Sequence, residues 1–121
     1  MPIRIREVKN VSIVDIDGNV DINSSDIIET VGWLVSSGKL NILVNLENVD
    51  MVDYSGLSVL AIAYKSAVNH NAKLKFLNAP LPVIELFKIV RLDSVFMAYR
   101  DEETAVNSFF EEDIEKLKLR R

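Results

Sequence analysis

A strand, a turn and a helix follow one another in the middle of this chain, and their order restricts the folds it can adopt. Residues 40–46 form an apolar run typical of a buried strand. Residues 52–60 then change from turn-forming residues to an apolar pattern with helical spacing. A second strand is predicted at Lys73–Leu77. Strands that alternate with helices in this way predict an α/β domain.

The rest of the chain continues this alternation. Strands are predicted at Ile3–Val8, 11–17, 41–46, Lys73–Leu77 and 95–99. Helices are predicted at 25–37, 55–69, 82–90 and 101–119, from apolar stripes and capping residues. We therefore expect one α/β domain over residues 1–121, with a mixed sheet of four to five strands packed by three to four helices.

Composition excludes several classes of protein. A chain of 121 residues with 49% hydrophobic content can bury one core and is too short for two ordinary domains. A net charge of -4 argues against nucleic-acid or anionic-membrane partners, which need a clustered basic face. The absence of cysteine excludes disulfides and zinc–thiolate sites. Because no apolar run approaches the ~20 residues of a membrane span and no secretion signal is present, we expect a cytoplasmic protein.

Ser55 lies at the predicted start of the second helix, just after the carboxyl end of a strand. Functional sites collect at such positions in α/β folds. The residues themselves leave two interpretations open. Ser55 could be a simple N-cap with Asp53 and Gly56 as turn residues, or it could be an exposed hydroxyl that another protein modifies.

The motif Asp53-x-Ser55-Gly56-Leu57 follows a strand that ends at Leu46, and an earlier turn contains Gly18-Asn19-Val20-Asp21. Together with the order of elements, these segments resemble the STAS domain. This family includes the bacterial anti-sigma factor antagonists. Three positions differ from the pattern common in that family: Tyr54 replaces Ser or Thr, Asn45 replaces Asp, and Asn71 replaces Gly.

The resemblance implies that Ser55 is phosphorylated by an anti-sigma factor that is also a serine kinase. The unphosphorylated protein would bind this kinase and release its sigma factor, and phosphorylation would end the binding. A PP2C-type phosphatase would restore the active form. The protein would then be a substrate and a binder without enzymatic activity or a cofactor.

The helix predicted at 55–69 carries apolar residues on two sides. Val59 and Ile62 project away from the main stripe and in line with Ser55. They form part of a partner surface, touch another element, or are scattered exposed residues. The stripe expected to face the core comprises Leu57, Leu60, Ala61, Tyr64 and Val68.

The expected partner surface combines this second stripe with the residues that the resemblance places around Ser55. Two of its members belong to the loop before the first helix, and the others belong to the start of the second helix. They are Asp21, Asn23, Asp53, Tyr54, Gly56, Leu57, Val59 and Ile62.

Other interpretations of the polar residues are weaker. Asp15, Asp17, Asn19 and Asp21 have the spacing of a calcium loop, but Val20 occupies the position where the sharp turn needs glycine, so no metal site is predicted. His70, the sole histidine, has no partner expected for catalysis.

Two other functions remain open. A STAS-like scaffold or transporter-associated subunit would form a constitutive complex through the same surface. A small-molecule or nucleotide-binding domain would need a pocket, and the chain has no Gly-rich phosphate loop before a Lys-Ser/Thr pair.

Overall fold

The computed structural model describes the backbone of residues 2–119 and the side chains of residues 2–111. Within that part of the chain, strands and helices follow the alternation that the sequence predicts. They are β1 Ile3–Val8, β2 Val11–Val20, α1 Ser25–Ser36, β3 Asn41–Val52, α2 Tyr54–Asn69, β4 Lys73–Leu77, α3 Leu81–Ile89, β5 Ala98–Tyr99 and α4 Glu102–Leu119.

The strands form one mixed sheet in the order β1-β2-β3-β4-β5. β1 pairs with β2 as an antiparallel hairpin, whereas β2, β3, β4 and β5 are parallel. The carboxyl ends of the parallel strands therefore meet at one edge of the sheet. Each of the four helices in the described chain begins at that edge, because each follows a parallel strand. The expectation of a single α/β domain with a mixed sheet is confirmed.

Alternating side chains of the strands build a core on each face of the sheet. On one face, Ile42 and Val44 of β3 belong to a large cluster that includes buried residues of α1, α2 and α3. On the other face, Leu43 packs in a smaller cluster with Val106 and Phe109 of α4. Helical spacing in the sequence predicts a buried face of this helix that comprises Val106, Phe109, Phe110, Ile114 and Leu117. Val106 and Phe109 are buried and Phe110 is half-buried, whereas Ile114 and Leu117 lie outside the described side chains.

Strands β2 and β3 are longer than the sequence indicates, since they end at Val20 and Val52. Asp17 pairs with Asn48 and Asn19 pairs with Met51, across register shifts that mark bulges. This irregular pairing extends the sheet toward the start of α2. Strand β5 is shorter than predicted. The amides of Val95 and Phe96 donate to the Leu92 carbonyl in a local turn, so these residues do not join the sheet.

No helix within residues 2–119 combines the length and the apolar character needed to cross a membrane.

Candidate functional site

The carboxylate of Asp53 caps the first turn of α2. Asp53 Oδ1 accepts hydrogen bonds from the Gly56 amide at 2.7 Å and from the Ser55 hydroxyl at 2.7 Å. The N-cap is therefore Asp53, and the N-cap interpretation of Ser55 is wrong because α2 already begins at Tyr54. The hydrogen bonds from the Ser55 hydroxyl and then the Gly56 amide hold the pKa of Asp53 below its usual value. One ionised oxygen thus fixes both the helix start and the Ser55 hydroxyl.

A close backbone approach joins the start of α2 to the end of β2. A Cβ atom at Gly56 would lie 1.9 Å from the Val20 carbonyl oxygen and 3.0 Å from the Asp21 nitrogen. The Asp53 amide also donates to the Val20 oxygen at 3.4 Å. Only glycine fits between these backbones, so Gly56 places Ser55 beside the loop between β2 and α1.

That loop is held by its own hydrogen bonds. The Asp21 carboxylate accepts from the Asn23 amide at 2.9 Å, and the buried Ser24 hydroxyl accepts from the Asp21 amide at 3.0 Å. Asp21 is half-buried and Asn23 is exposed. The structure brings both residues to the same edge of the sheet as Ser55, and their role in partner binding stays a prediction.

The outer face of α2 differs from the predicted one. Val59 is 7% exposed and belongs to the main core cluster, so it contacts other elements, and its assignment to the partner surface is wrong. Ile62 is 52% exposed, as predicted, whereas Val68, predicted to face the core, is exposed. Helix α2 packs against α1 as well as against the sheet, so a wide arc of its surface is buried. Leu57 and Gly56 are buried in that arc and cannot present side chains to a partner.

Ser58 lies on the exposed face of α2, one turn below the capping residue. Its hydroxyl donates to the Tyr54 carbonyl at 3.2 Å. Ser55 is only half-buried and Ser58 is exposed, so accessibility does not distinguish these two serines. What distinguishes Ser55 is its hydrogen bond to the Asp53 carboxylate and its place against the end of β2.

Large apolar side chains are exposed around the start of α2. Tyr54 is 67% exposed, Met51 is 61% exposed and Ile22 is 76% exposed. Tyr54 was among the predicted partner residues, but Ile22 and Met51 were missed. Ile22 lies between two polar residues, but Met51 is followed by Val52, so no shared local pattern marked them in the sequence. Exposed apolar residues that cluster at one end of a soluble domain are typical of protein interaction sites.

A second polar cluster, around Asp15, lies on the α4 side of the sheet. Arg6 donates to both Asp15 oxygens, at 2.8 and 3.2 Å, and to Glu102 at 2.6 Å. The Asn45 side chain donates to Asp15 Oδ1 at 2.8 Å. Burial tends to raise the pKa of Asp15, but the hydrogen bonds from Arg6 and Asn45 outweigh it and hold that pKa below its usual value. The cluster joins β1, β2, β3 and α4, and it explains why an amide suits position 45.

The family comparison agrees with this geometry. A model of the STAS domain matches residues 2–105, so the chain belongs to the STAS domain family. No sequence of a functionally curated protein gives a match.

Solved structures of anti-sigma factor antagonists are similar in fold. One from Mycobacterium paratuberculosis is 18% identical, with a TM-score of 0.77 over 88% of this chain and 92% of that chain. The Bacillus cell fate determinant SpoIIAA in its phosphorylated form is 16% identical, with a TM-score of 0.69 over 89% of this chain and 99% of that chain. A sulfate transporter family protein from Wolinella succinogenes is 12% identical, with a TM-score of 0.74 over 91% of this chain and 92% of that chain. At these identities the likeness concerns the fold.

Proposed function

We propose that this protein is an anti-sigma factor antagonist whose binding is switched by phosphorylation of Ser55. The observation that carries the proposal is the Ser55 hydroxyl, held at 2.7 Å by the capping carboxylate of Asp53. It lies at a sheet edge where Ile22, Met51 and Tyr54 leave apolar surface exposed. A modifiable group beside such a surface can control whether a partner binds there.

Phosphorylation changes the charge at this surface without requiring the fold to change. The γ-phosphorus of ATP forms a bond with Ser55 Oγ, its bond to the oxygen that bridges to the β-phosphate breaks, ADP leaves, and the hydroxyl proton is released to solvent. The product carries about −1.5 to −2 charge next to backbone amides at a helix start, which favour an anion. The modified hydroxyl no longer donates to Asp53, and the two negative groups repel each other. The phosphate would therefore oppose a partner that buries the Ser55 surface.

The proposed partners follow from this switch. The unphosphorylated protein binds an anti-sigma factor that is also a serine kinase, and it competes with the sigma factor for it. A PP2C-type phosphatase reverses the modification. The protein acts in the cytoplasm as a binder and a kinase substrate, without catalytic activity and without nucleic-acid or membrane partners. Competition suffices for control, because about 1.4 kcal/mol changes an affinity ratio tenfold.

The test uses the cognate anti-sigma kinase, ATP and the whole protein. We expect mass spectrometry to find one phosphate, on Ser55. Ser55→Ala should abolish the modification, and the matched control Ser58→Ala should retain it. The phosphorylated protein should bind the kinase at least about tenfold more weakly than the unmodified protein. Phosphate on Ser58 or Tyr54, or equal affinity of both forms, would contradict the proposal.

A second function is a constitutive subunit of a larger complex, and the similarity to a sulfate transporter family protein favours it as the alternative. This function predicts binding that is indifferent to charge at position 55. If Ser55→Asp and the unmodified protein bind the partner equally, and no serine kinase modifies the protein, the constitutive function is correct.

A further inference from the structure

A cavity of about 370 Å³ lies between α3 and β5, away from the residues assigned to partner binding. Its inner wall contains Phe87 and Phe96, two buried rings that meet edge to face with centroids 5.1 Å apart. Ile84 and Met97 extend this apolar lining toward the surface. The volume is at the lower end of the roughly 300–1,000 Å³ of small-molecule sites, so it suits a small ligand with an apolar body.

The rim of the cavity carries more positive than negative charge. Lys88 and Arg100 contribute two cations, and Asp93 contributes one carboxylate. This local excess contrasts with the net charge of -4 of the whole chain. A ligand with one anionic group would be attracted to this rim, while a cationic ligand would be repelled.

The backbone of β5 adds a hydrogen-bond donor beside the rim. The Met97 carbonyl accepts from the Phe76 amide of β4, and the Tyr99 carbonyl accepts from the amide of Asn78, the residue after β4, both at 2.8 Å. Both carbonyls therefore point toward β4. The N–H of Ala98 belongs to the same peptide group as the Met97 carbonyl and points in the opposite direction, to the outer edge of the sheet. Ala98 also lines the cavity. An anionic oxygen at the rim can thus meet a backbone amide as well as a side-chain cation.

We propose that this cavity binds a small amphipathic anion, with an apolar body against Phe87 and Phe96 and a carboxylate, sulfonate or phosphate at Lys88 and Arg100. The apolar wall provides the larger part of the binding free energy through surface removed from water. The cations select the charged end. This site is independent of the phosphorylation switch, and either proposal can fail without the other.

Three probes of matched chemistry test the site by two-dimensional amide NMR of the whole protein. They are 4-phenylbutyrate, which has both parts, 4-phenylbutan-1-ol, which lacks the charge, and acetate, which lacks the apolar body. We expect 4-phenylbutyrate to shift the amide signals of Phe87, Ala98 and Arg100. The alcohol should bind about fivefold more weakly, since exposed charge contacts contribute modestly, and acetate should cause no saturable shift.

Substitutions separate the two halves of the site. Arg100→Ala and Lys88→Ala should each weaken the binding of 4-phenylbutyrate severalfold and leave the affinity for the alcohol unchanged. Both side chains are exposed and act through their charge. Lys65→Ala, which removes an exposed cation outside the cavity, is the matched control and should bind as the natural protein does. Ala98→Trp should fill the cavity and abolish binding of both probes.

Thermal midpoints of every variant show which of them remain folded, and Arg100→Ala and Lys88→Ala decide the question if Ala98→Trp does not fold. The proposal is overturned if 4-phenylbutyrate at millimolar concentration shifts no signals near the cavity. It is also overturned if the signals that shift lie at another surface, or if Arg100→Ala and Lys88→Ala bind 4-phenylbutyrate with unchanged affinity.

Discussion

Two neighbouring residues, Asp53 and Gly56, fix the position of Ser55, and each does so by a different means. Asp53 acts through hydrogen bonds, because one oxygen accepts from the Ser55 hydroxyl and from the Gly56 amide. Gly56 acts through the space it leaves for the Val20 carbonyl. The roles of these residues can therefore be separated by substitution.

Asp53 is predicted to be a positioning residue for phosphorylation of Ser55. In Asp53→Asn the amide oxygen can still cap α2, but it is a weaker acceptor for the Ser55 hydroxyl than a carboxylate is. We expect kcat for phosphorylation by the kinase to fall severalfold, with little change in KM or in the urea midpoint. A severalfold rise of KM with unchanged kcat would show instead that Asp53 contributes to binding of the kinase.

Gly56 is predicted to tolerate no side chain. Gly56→Ala forces the Val20 carbonyl and the start of α2 apart, because the added Cβ would lie 1.9 Å from that oxygen. Overpacking of this kind typically costs about 1–3 kcal/mol of unfolding free energy, and urea unfolding would measure it. The matched control is Gly32→Ala in α1, where the added Cβ would meet no atom within 4 Å apart from its chain neighbours and the nearby backbone of its own helix. The control should be stabilised by roughly 0.5–1 kcal/mol, since alanine favours a helix.

At the level of the elements, local patterns predicted which segments fold and long-range pairing decided how far they extend. The bounds of β4 at Lys73–Leu77 followed from apolar residues and turn signals. The extension of β3 to Val52 could not be predicted, because it depends on pairing with β2 across register shifts. Helical spacing likewise grouped Val59 with Ile62, but it cannot tell that α1 covers one side of α2 as well as the sheet.

The same distinction applies to the candidate site. The capping and acceptor positions Asp53 and Ser55 lie in one short motif, which made them visible in the sequence. Ile22 and Met51 come from separate segments and reach the same edge only because β2 and β3 pair beyond their regular parts. Exposure of an apolar side chain depends on the folded surface, so no local pattern distinguishes these residues from core residues.

The two sides of α2 lead to opposite predictions for stability and binding. Val59→Ser removes a buried side chain and buries a hydroxyl, so it should lower the unfolding free energy by about 2 kcal/mol or more. Ile62→Ser changes an exposed position and should lower it by no more than about 0.5 kcal/mol. If Ile62 contacts the kinase, its substitution should weaken binding by about 1 kcal/mol or more. Urea midpoints and kinase dissociation constants test both, and unchanged affinity of Ile62→Ser would remove this residue from the partner surface.

At the scale of the whole molecule, both features proposed to bind other molecules follow the carboxyl ends of parallel strands, at separate places along one edge of the sheet. Ser55 follows the end of β3, and the cavity rim at Arg100 follows the end of β5. The cluster around Asp15 lies on the α4 face of the sheet, opposite α2, and connects β1, β2, β3 and α4 through side-chain hydrogen bonds. The arrangement separates residues that bind from residues that hold the layers together.

The cluster around Asp15 predicts how stability depends on pH. The folded-state pKa of Asp15 lies below its unfolded value of about 3.9. The Asp15 carboxylate therefore contributes fully to the free energy of unfolding above the unfolded pKa, and this contribution is lost as pH falls through the folded pKa. Asp15→Asn removes this titration while leaving an uncharged side chain of the same shape. At pH 7 the free energy of unfolding of the natural protein should exceed that of Asp15→Asn by up to about 1 kcal/mol. The difference is small because Arg6 is partly exposed and solvent screens its interaction with Asp15.

Urea unfolding of both proteins between pH 7 and pH 3 measures that difference, and we expect it to narrow below pH ~4 as Asp15 becomes protonated in the unfolded chain and then in the folded one. Asn45→Asp supplies a second test, because it adds a negative charge to the cluster whereas Asp15→Asn removes one. It replaces the amide that donates to Asp15 at 2.8 Å with a like charge, so it should destabilise the protein at pH 7 and do so less as pH falls. A constant difference across this pH range for both variants would show that the Asp15 carboxylate contributes no charge-dependent stability to the fold.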